Sequence, residues 1–249
     1  MLNVHSEFHR IVPGADTAIL MVHGIVGTPR HFDFLLEAIP ENISVVNILL
    51  PGHGGTVRDF GNASMKAWKE KVESHMEQLC RIHRRVIVVA HSMGTLLTAE
   101  AAERHPEVKG FLFINVPLRV WVAPKLIPSA LRWSFGRLKP GHPTDEGLRV
   151  AASPQPDKHL WRYLSWIPRF LELLVLCKQS RKRFEIVSTP AFAFQSYDDE
   201  LVRRSTSSHL LKNSTIRHIM LQNCGHLIYP PEAQAQMREA LISLLKTEK

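Results

Sequence analysis

Short apolar runs rich in β-branched residues punctuate the chain at 17–23, 44–49, 85–90, 110–115, 191–196 and 216–221. Their continuity, rather than a strict alternation, suits strands covered on both faces. Stretches with helical periodicity fall between them, at 30–39, 64–83, 93–104 and 231–246. Strands and helices alternating in this way predict a mostly parallel sheet flanked by helices. The first dozen residues are expected to add edge strands.

The alternation lapses after Asn115 and resumes at Ala191. The intervening stretch holds clustered prolines and four of the five tryptophans. A loop of that length without structure of its own would be unusual in a compact domain. We therefore expect a largely helical cap at 116–183, inserted into a core made of 1–115 and 184–249. Leu160, Trp161, Tyr163, Leu164, Trp166, Ile167, Phe170, Leu171, Leu173 and Leu174 offer it an apolar face, and Pro168 starts or kinks a helix there. Charge sharpens the picture: of 31 Lys/Arg and 23 Asp/Glu, the cap holds 13 of the former and 4 of the latter. The whole formal excess of +8 thus sits in the cap, and the remainder is close to neutral.

A length of 249 residues, with 45% hydrophobic and 22% charged content, fits one globular unit and argues against disordered, fibrous or membrane-spanning classes. The first residues lack a basic segment followed by an apolar run, so no secretory signal is expected and a cytoplasmic location is. Three cysteines, Cys80, Cys177 and Cys224, are too few and too far apart for a disulfide framework or a thiolate metal site. The run Arg181-Lys182-Arg183 comes without any nucleic-acid-binding motif and reads as the solvated end of the cap.

The chemistry gathers at the ends of the expected strands. Ala90-His91-Ser92-Met93-Gly94 joins the strand at 85–90 to a helical stretch. Strand, sharp turn and helix is the setting in which a serine is held strained with its hydroxyl presented, provided small residues stand two positions to either side. Gly94 meets that demand, and Ala90 exceeds it by one methyl group. His23-Gly24-Ile25-Val26-Gly27-Thr28-Pro29 follows an earlier strand and could bring a backbone amide to the same place. Acyl transfer passes through an oxyanion that needs such donors, and we assign them to the amides of Ile25 and Met93. His23 and His53 are expected to shape their loops rather than act on substrate. A serine nucleophile also needs a base and an acid to orient it. Asp198 and Asp199 follow the strand at 191–196, and His226 follows the strand at 216–221, in the order nucleophile, acid, histidine.

With HGIVGT, PGHGG, AHSMG, DELV and CGH in sequence order, the chain resembles the α/β-hydrolase carboxylesterases and monoacylglycerol lipases of the bacterial type. The resemblance covers the core throughout and implies an α/β-hydrolase fold with a triad of Ser92, Asp199 and His226. It favours Asp199 over Asp198 as the acid. It implies hydrolysis of a small-molecule carboxylic ester, acylglycerols among the candidates, through an acyl-serine and without metal or organic cofactor. Ala90 departs from the family's first elbow glycine, and the cap is less easily matched, so substrate identity does not carry over. A thioesterase, an acyltransferase or a C–C bond hydrolase could use the same triad, and a non-catalytic receptor could keep the fold. An aspartate nucleophile, as in dehalogenases, is excluded by Ser92. The tryptophan-rich, basic cap also suits weak contact with an anionic lipid surface.

Overall fold

The computed structural model describes residues 5–246. Seven strands form one sheet: β1 (Phe8–Arg10), β2 (Thr17–Val22), β3 (Ser44–Ile48), β4 (Arg85–His91), β5 (Val108–Ile114), β6 (Ala191–Ser196) and β7 (Ile216–Leu221). Their spatial order is β1-β3-β2-β4-β5-β6-β7. Only β1 runs antiparallel, paired with β3; every other neighbouring pair is parallel. All six expected strands are present within two residues of their expected bounds, and among the described residues the N-terminal edge is the single strand β1, residues 1–4 of the expected edge lying outside them.

The helices are α1 (Asp33–Leu36), α2 (Val57–Asn62), α3 (Met65–Ile82), α4 (Met93–Ala101), α5 (Leu126–Ser134), α6 (Pro143–Ala151), α7 (Ile167–Ile186), α8 (Ser207–Leu210) and α9 (Pro231–Lys246). Short 3-10 turns occupy Pro29–Phe32 and Leu160–Trp166. The expected helix at 30–39 is thus a 3-10 turn followed by one α-turn. Helix α3 starts where the Ser64 side chain accepts a hydrogen bond from the Ala67 amide, and it buries Trp68, Val72, Met76 and Leu79 along one stripe. Helix α4 is buried nearly all round because it lies between the sheet and the helices α3 and α7.

Two apolar layers result, one on each face of the sheet. Ala18, Leu20, Val22, Val86, Val88 and Ala90 point into the layer roofed by α3, α4 and α7. Ile19, Met21, Ile87 and Val89 point into the layer roofed by α1 and α9. Neighbours on one strand alternate between the layers, which is why these strands read as unbroken apolar runs.

Between β5 and β6 lie α5, α6, the 3-10 turn and α7. Asp145, fully buried, ties α5 to α6: Arg132 donates to its two oxygens at 2.7 and 2.6 Å, and the Lys139 amide donates at 2.9 Å. Trp166 donates to the Val57 carbonyl at 2.8 Å and packs on Phe60. Helix α7 is unbroken across residue 183. Its buried residues Leu173, Leu176, Cys177, Ser180 and Phe184 face the core, where Phe184 meets Phe113 of β5. In the run 181–183, Arg183 pairs with Glu100 and Glu103, and Arg181 donates to the Leu118 carbonyl. No helix among the described residues is long and apolar enough to cross a membrane.

Candidate active site

The chain passes from β2 to β3 on one side and then crosses back over β2 to β4 on the other, so the strand order reverses between β2 and β4 while the strands stay parallel. A crevice forms outside the carboxyl ends of strands at such a reversal. Val22 pairs with Ala90 across these strands, and Gly24 and Ser92 come side by side just beyond them. A Cβ built on Gly24 would stand 2.7 Å from the Ser92 Cβ, so the loop after β2 can approach the serine only with glycine there. Gly94 is equally constrained: a side chain there would collide with the Val22 carbonyl and stand 2.7 Å from that of His23. Ser92 itself has φ 50 and ψ −125, a conformation that L-residues avoid and that marks the turn from β4 into α4.

Ser92 Oγ is 3.1 Å from His226 Nε2, and His226 Nδ1 is 2.8 Å from Asp199 Oδ2. All three residues are buried. The other carboxylate oxygen, Oδ1, accepts the amides of Leu201 and Val202, each at 2.7 Å. Asp199 is therefore fixed in orientation before it meets the imidazole, and Nδ1 is the donor in that contact. Asp198 is exposed and contributes its amide to the Cys224 carbonyl. Of the two candidate acids, the fold brings Asp199 to His226.

Met93 opens α4, where the first amides have no acceptor inside the helix. Ile25 lies in a turn closed by the Gly27 amide on the Gly24 carbonyl at 3.0 Å. Val26 in that turn has φ 60, a strained setting for a β-branched residue, and its carbonyl accepts the Ser153 amide at 2.9 Å. His23 holds the same loop. Its Nε2 accepts the Leu50 amide at 3.0 Å, so Nδ1 carries the proton that is donated to the Gly24 carbonyl at 2.8 Å. Burial lowers the His23 pKa to about 4. His53 stacks edge-on against His23 and donates to the Leu50 carbonyl.

A model of the alpha/beta hydrolase family matches residues 19–240. The chain belongs to the alpha/beta hydrolase family. It is 26% identical over 235 residues to a thermostable monoacylglycerol lipase of Bacillus sp. (strain H-257), covering 89% of this chain and 90% of that protein. Among solved structures, one from the work on LipS and LipT, two metagenome-derived lipolytic enzymes, superposes with a TM-score of 0.71 at 22% identity over 98% of both chains. A monoacylglycerol lipase of Paleococcus ferrophilus superposes with a TM-score of 0.66 at 17% identity over 96% of this chain and 97% of that one.

Behind His226 this hydrolase carries a buried polar network that sequence spacing does not reveal. The His226 carbonyl accepts three donors: the Tyr229 hydroxyl at 2.9 Å, Asn115 Nδ2 at 3.1 Å and His91 Nε2 at 3.1 Å. Glu200 accepts the His226 amide at 2.9 Å. The main chain of the imidazole is thus gripped on both sides. Asn115, at φ 53, also accepts the Ser196 amide, which sets the end of β6. Burial, reinforced by His31 and His226, keeps His91 neutral with its pKa well below the ordinary value. His31 lies ring to ring with it at 3.9 Å and is likewise lowered, to about 3, by burial. Burial raises the Tyr229 hydroxyl well above its usual value, so it remains a donor. Asn115 closes an expected strand and His91 adjoins the serine; those positions were the only sequence signals.

Proposed function

We propose that this α/β hydrolase cleaves carboxylic esters through an acyl-Ser92 intermediate, with His226 as general base and acid, Asp199 as its orienting partner, and the Ile25 and Met93 amides as oxyanion donors. The unbroken contact from Ser92 Oγ to His226 Nε2 to Asp199 Oδ2, at the carboxyl ends of parallel strands, carries the reading. With Nδ1–H committed to Asp199, Nε2 holds the lone pair that takes the serine proton as Oγ attacks the carbonyl carbon. The oxyanion forms between the loop after β2 and the first turn of α4, where two amides are worth several kcal/mol. His226 then gives its proton to the departing alcohol, water adds to the acyl-serine by the same route, and the acid is released. Similarity to a monoacylglycerol lipase over nearly the whole chain favours acylglycerols as substrates.

The segment between β5 and β6 acts as a cap over this site. Leu160, Trp161, Leu164, Ile167, Leu171 and Val175 leave an exposed apolar stripe along the 3-10 turn and α7, with Trp161 65% exposed. Exposed Lys158, Arg162, Lys178 and Lys182 flank it. An apolar ridge rimmed by cations suits weak contact with an anionic bilayer surface, from which a single-chain glyceride could be drawn. Three free thiols are in keeping with a reducing cytoplasm.

Hydrolysis of p-nitrophenyl esters from acetyl to long-chain acyl, and of monoacylglycerols, tests the assignment. Wild type should turn over both and Ser92→Ala neither; activity retained in Ser92→Ala, or tight ester binding without turnover in wild type, would overturn it. Monoacylglycerol hydrolysis should rise with anionic vesicles and lose that gain at high salt; indifference to both would remove the membrane contact alone.

A further inference from the structure

At the rim of the sheet opposite Ser92, the fold assembles a set of side chains whose spacing in sequence suggests nothing. Cys80 lies in the last turn of α3, and His105 and Glu107 lie in the turn that leads into β5. The Cys80 sulfur, a ring nitrogen of His105 and a carboxylate oxygen of Glu107 are all within 4.8 Å of one another, and all three residues are half-buried. The turn is preorganised. Pro106 stands between the two ligands, the Val108 amide closes onto the His105 carbonyl at 3.1 Å, and the Val86 amide pins the Glu107 carbonyl at 2.8 Å.

The His105 ring is also oriented from outside the set. Its Nε2 is 3.0 Å from Glu73 Oε1, so the N–H is committed to a carboxylate and the other ring nitrogen keeps its lone pair. A carboxylate behind a ligating histidine is the usual way a metal centre fixes ring tautomer and raises basicity. Arg104 meets the charge of Glu73 by donating from Nε at 3.1 Å. Burial and the neighbouring Glu107 carboxylate push the Cys80 thiol up to about 12, so it is a neutral thiol until a metal takes the place of its proton; the bound site then holds one thiolate and one carboxylate, the charge that a divalent cation balances. Thiolate, imidazole and carboxylate together suit zinc rather than calcium or magnesium, which take all-oxygen shells.

A second trio, Glu7, His9 and His75, is as close-set, but there Lys71 Nζ already stands 3.0 Å from Glu7 Oε1 and supplies the cation.

We propose that Cys80, His105 and Glu107 bind one zinc ion, with Glu73 positioning His105, and that the ion clips the end of α3 to the start of β5. The site lies at the opposite end of β5 from the serine, a strand of seven residues and so about 20 Å away, and takes no part in ester cleavage. Binding replaces the Cys80 thiol proton by the metal and releases that proton to solvent, so affinity rises with pH.

The test uses the whole protein, freed of metal by a chelator and titrated with Zn2+ against a chromophoric competitor, and with Co2+ followed by absorption. One Zn2+ per chain should bind, Co2+ should give a thiolate-to-metal charge-transfer band, and the melting temperature should rise on loading. Cys80→Ser should abolish the band and the tight binding; Glu73→Gln should weaken zinc about 10- to 100-fold while leaving the band; His75→Ala should change neither. Ester hydrolysis should be the same loaded and unloaded. Absence of the cobalt band in wild type, zinc binding unchanged in Cys80→Ser, or its loss in His75→Ala would overturn the proposal. Melting curves of the unloaded variants separate loss of the site from loss of the fold.

Discussion

Replacing Asp199 by asparagine isolates the part proposed for it as the acid, because the surroundings dictate how the new amide must lie. In the native protein Oδ1 accepts the Leu201 and Val202 amides and Oδ2 accepts His226 Nδ1–H. Two backbone donors at 2.7 Å can be met only by an oxygen, so the asparagine carbonyl takes the Oδ1 position and its NH2 faces His226. The amide then donates to Nδ1, the imidazole proton moves to Nε2, and that N–H faces Ser92 Oγ at a site that must instead accept a proton. Geometry is kept and the tautomer is inverted. A wrong-tautomer histidine lowers kcat by about 10,000-fold in a serine triad, equivalent to about 5.5 kcal/mol of barrier. Asp198→Asn should stay near wild type, since Asp198 is exposed and engages Cys224 only through its backbone amide. The assay is steady-state hydrolysis of a short p-nitrophenyl ester by both variants, with thermal melts to show that each is folded. A folded Asp199→Asn enzyme within tenfold of wild type, or an equal loss in Asp198→Asn, would refute this account of the acid.

Tyr229→Phe removes one of three donors to the His226 carbonyl, leaving Asn115 and His91 in place, so the base is held less tightly by about 1 kcal/mol. A fall of about fivefold in kcat with KM unchanged is expected from initial rates, against no change if the hydroxyl only fills space. Gly24→Ala places a methyl 2.7 Å from the Ser92 Cβ and displaces the oxyanion loop; a loss of about 100-fold on esters of every chain length, in a protein that melts cooperatively, is expected. Asp145→Asn removes the carboxylate to which Arg132 and the Lys139 amide donate, and should lower stability in denaturant titrations. Chiefly through the bonds from Arg132, the Asp145 carboxyl is held well below its usual value. Its contribution is therefore complete above the ordinary aspartate range and fades as pH falls below it, and Asp145→Asn should lack that part of the acid dependence of Tm.

Much of the fold was legible because parallel strands covered on both faces leave a strong trace. Residues 86–90 are apolar without interruption since alternate positions fill the two layers, and the elbow, the loop after β2 and the histidine turn each sit just past such a run. The choice between Asp198 and Asp199 was not in the local residues: both adjoin a strand end, and only the direction of the chain as it leaves β6 exposes one and buries the other. The segment from 116 to 183 was read least well, for a physical reason. Helix α7 is apolar on both sides, one packed on α4 and the sheet and the other open to solvent, so periodicity could not tell a core helix from a cap helix. The polar network behind His226 joins positions 31, 91, 115 and 229, and no spacing connects them until the sheet does.

The segment between β5 and β6 touches the chemistry at two separate points. Its Ser153 amide holds the Val26 carbonyl, and with it the strained turn that contains Ile25. Near its start, Lys125 stands 3.4 Å from Glu200, whose carboxylate in turn accepts the His226 amide. The Trp121 and Ala123 amides bond the Leu201 and Glu200 carbonyls and so brace the loop that carries Asp199. A segment that only roofed a pocket would affect which acyl chains enter. One bonded to the loop that holds Ile25 and to the loop that carries Asp199 also sets whether those groups stand in register for the proposed reaction, because a shift of about 1 Å at either would be enough to cost a hundredfold in rate. Selectivity and turnover are therefore expected to be coupled through the same hydrogen bonds, so that substitutions disturbing the segment at Ala123, Lys125 or Ser153, with Ser92, His226 and Asp199 untouched, should change kcat as well as KM in steady-state assays.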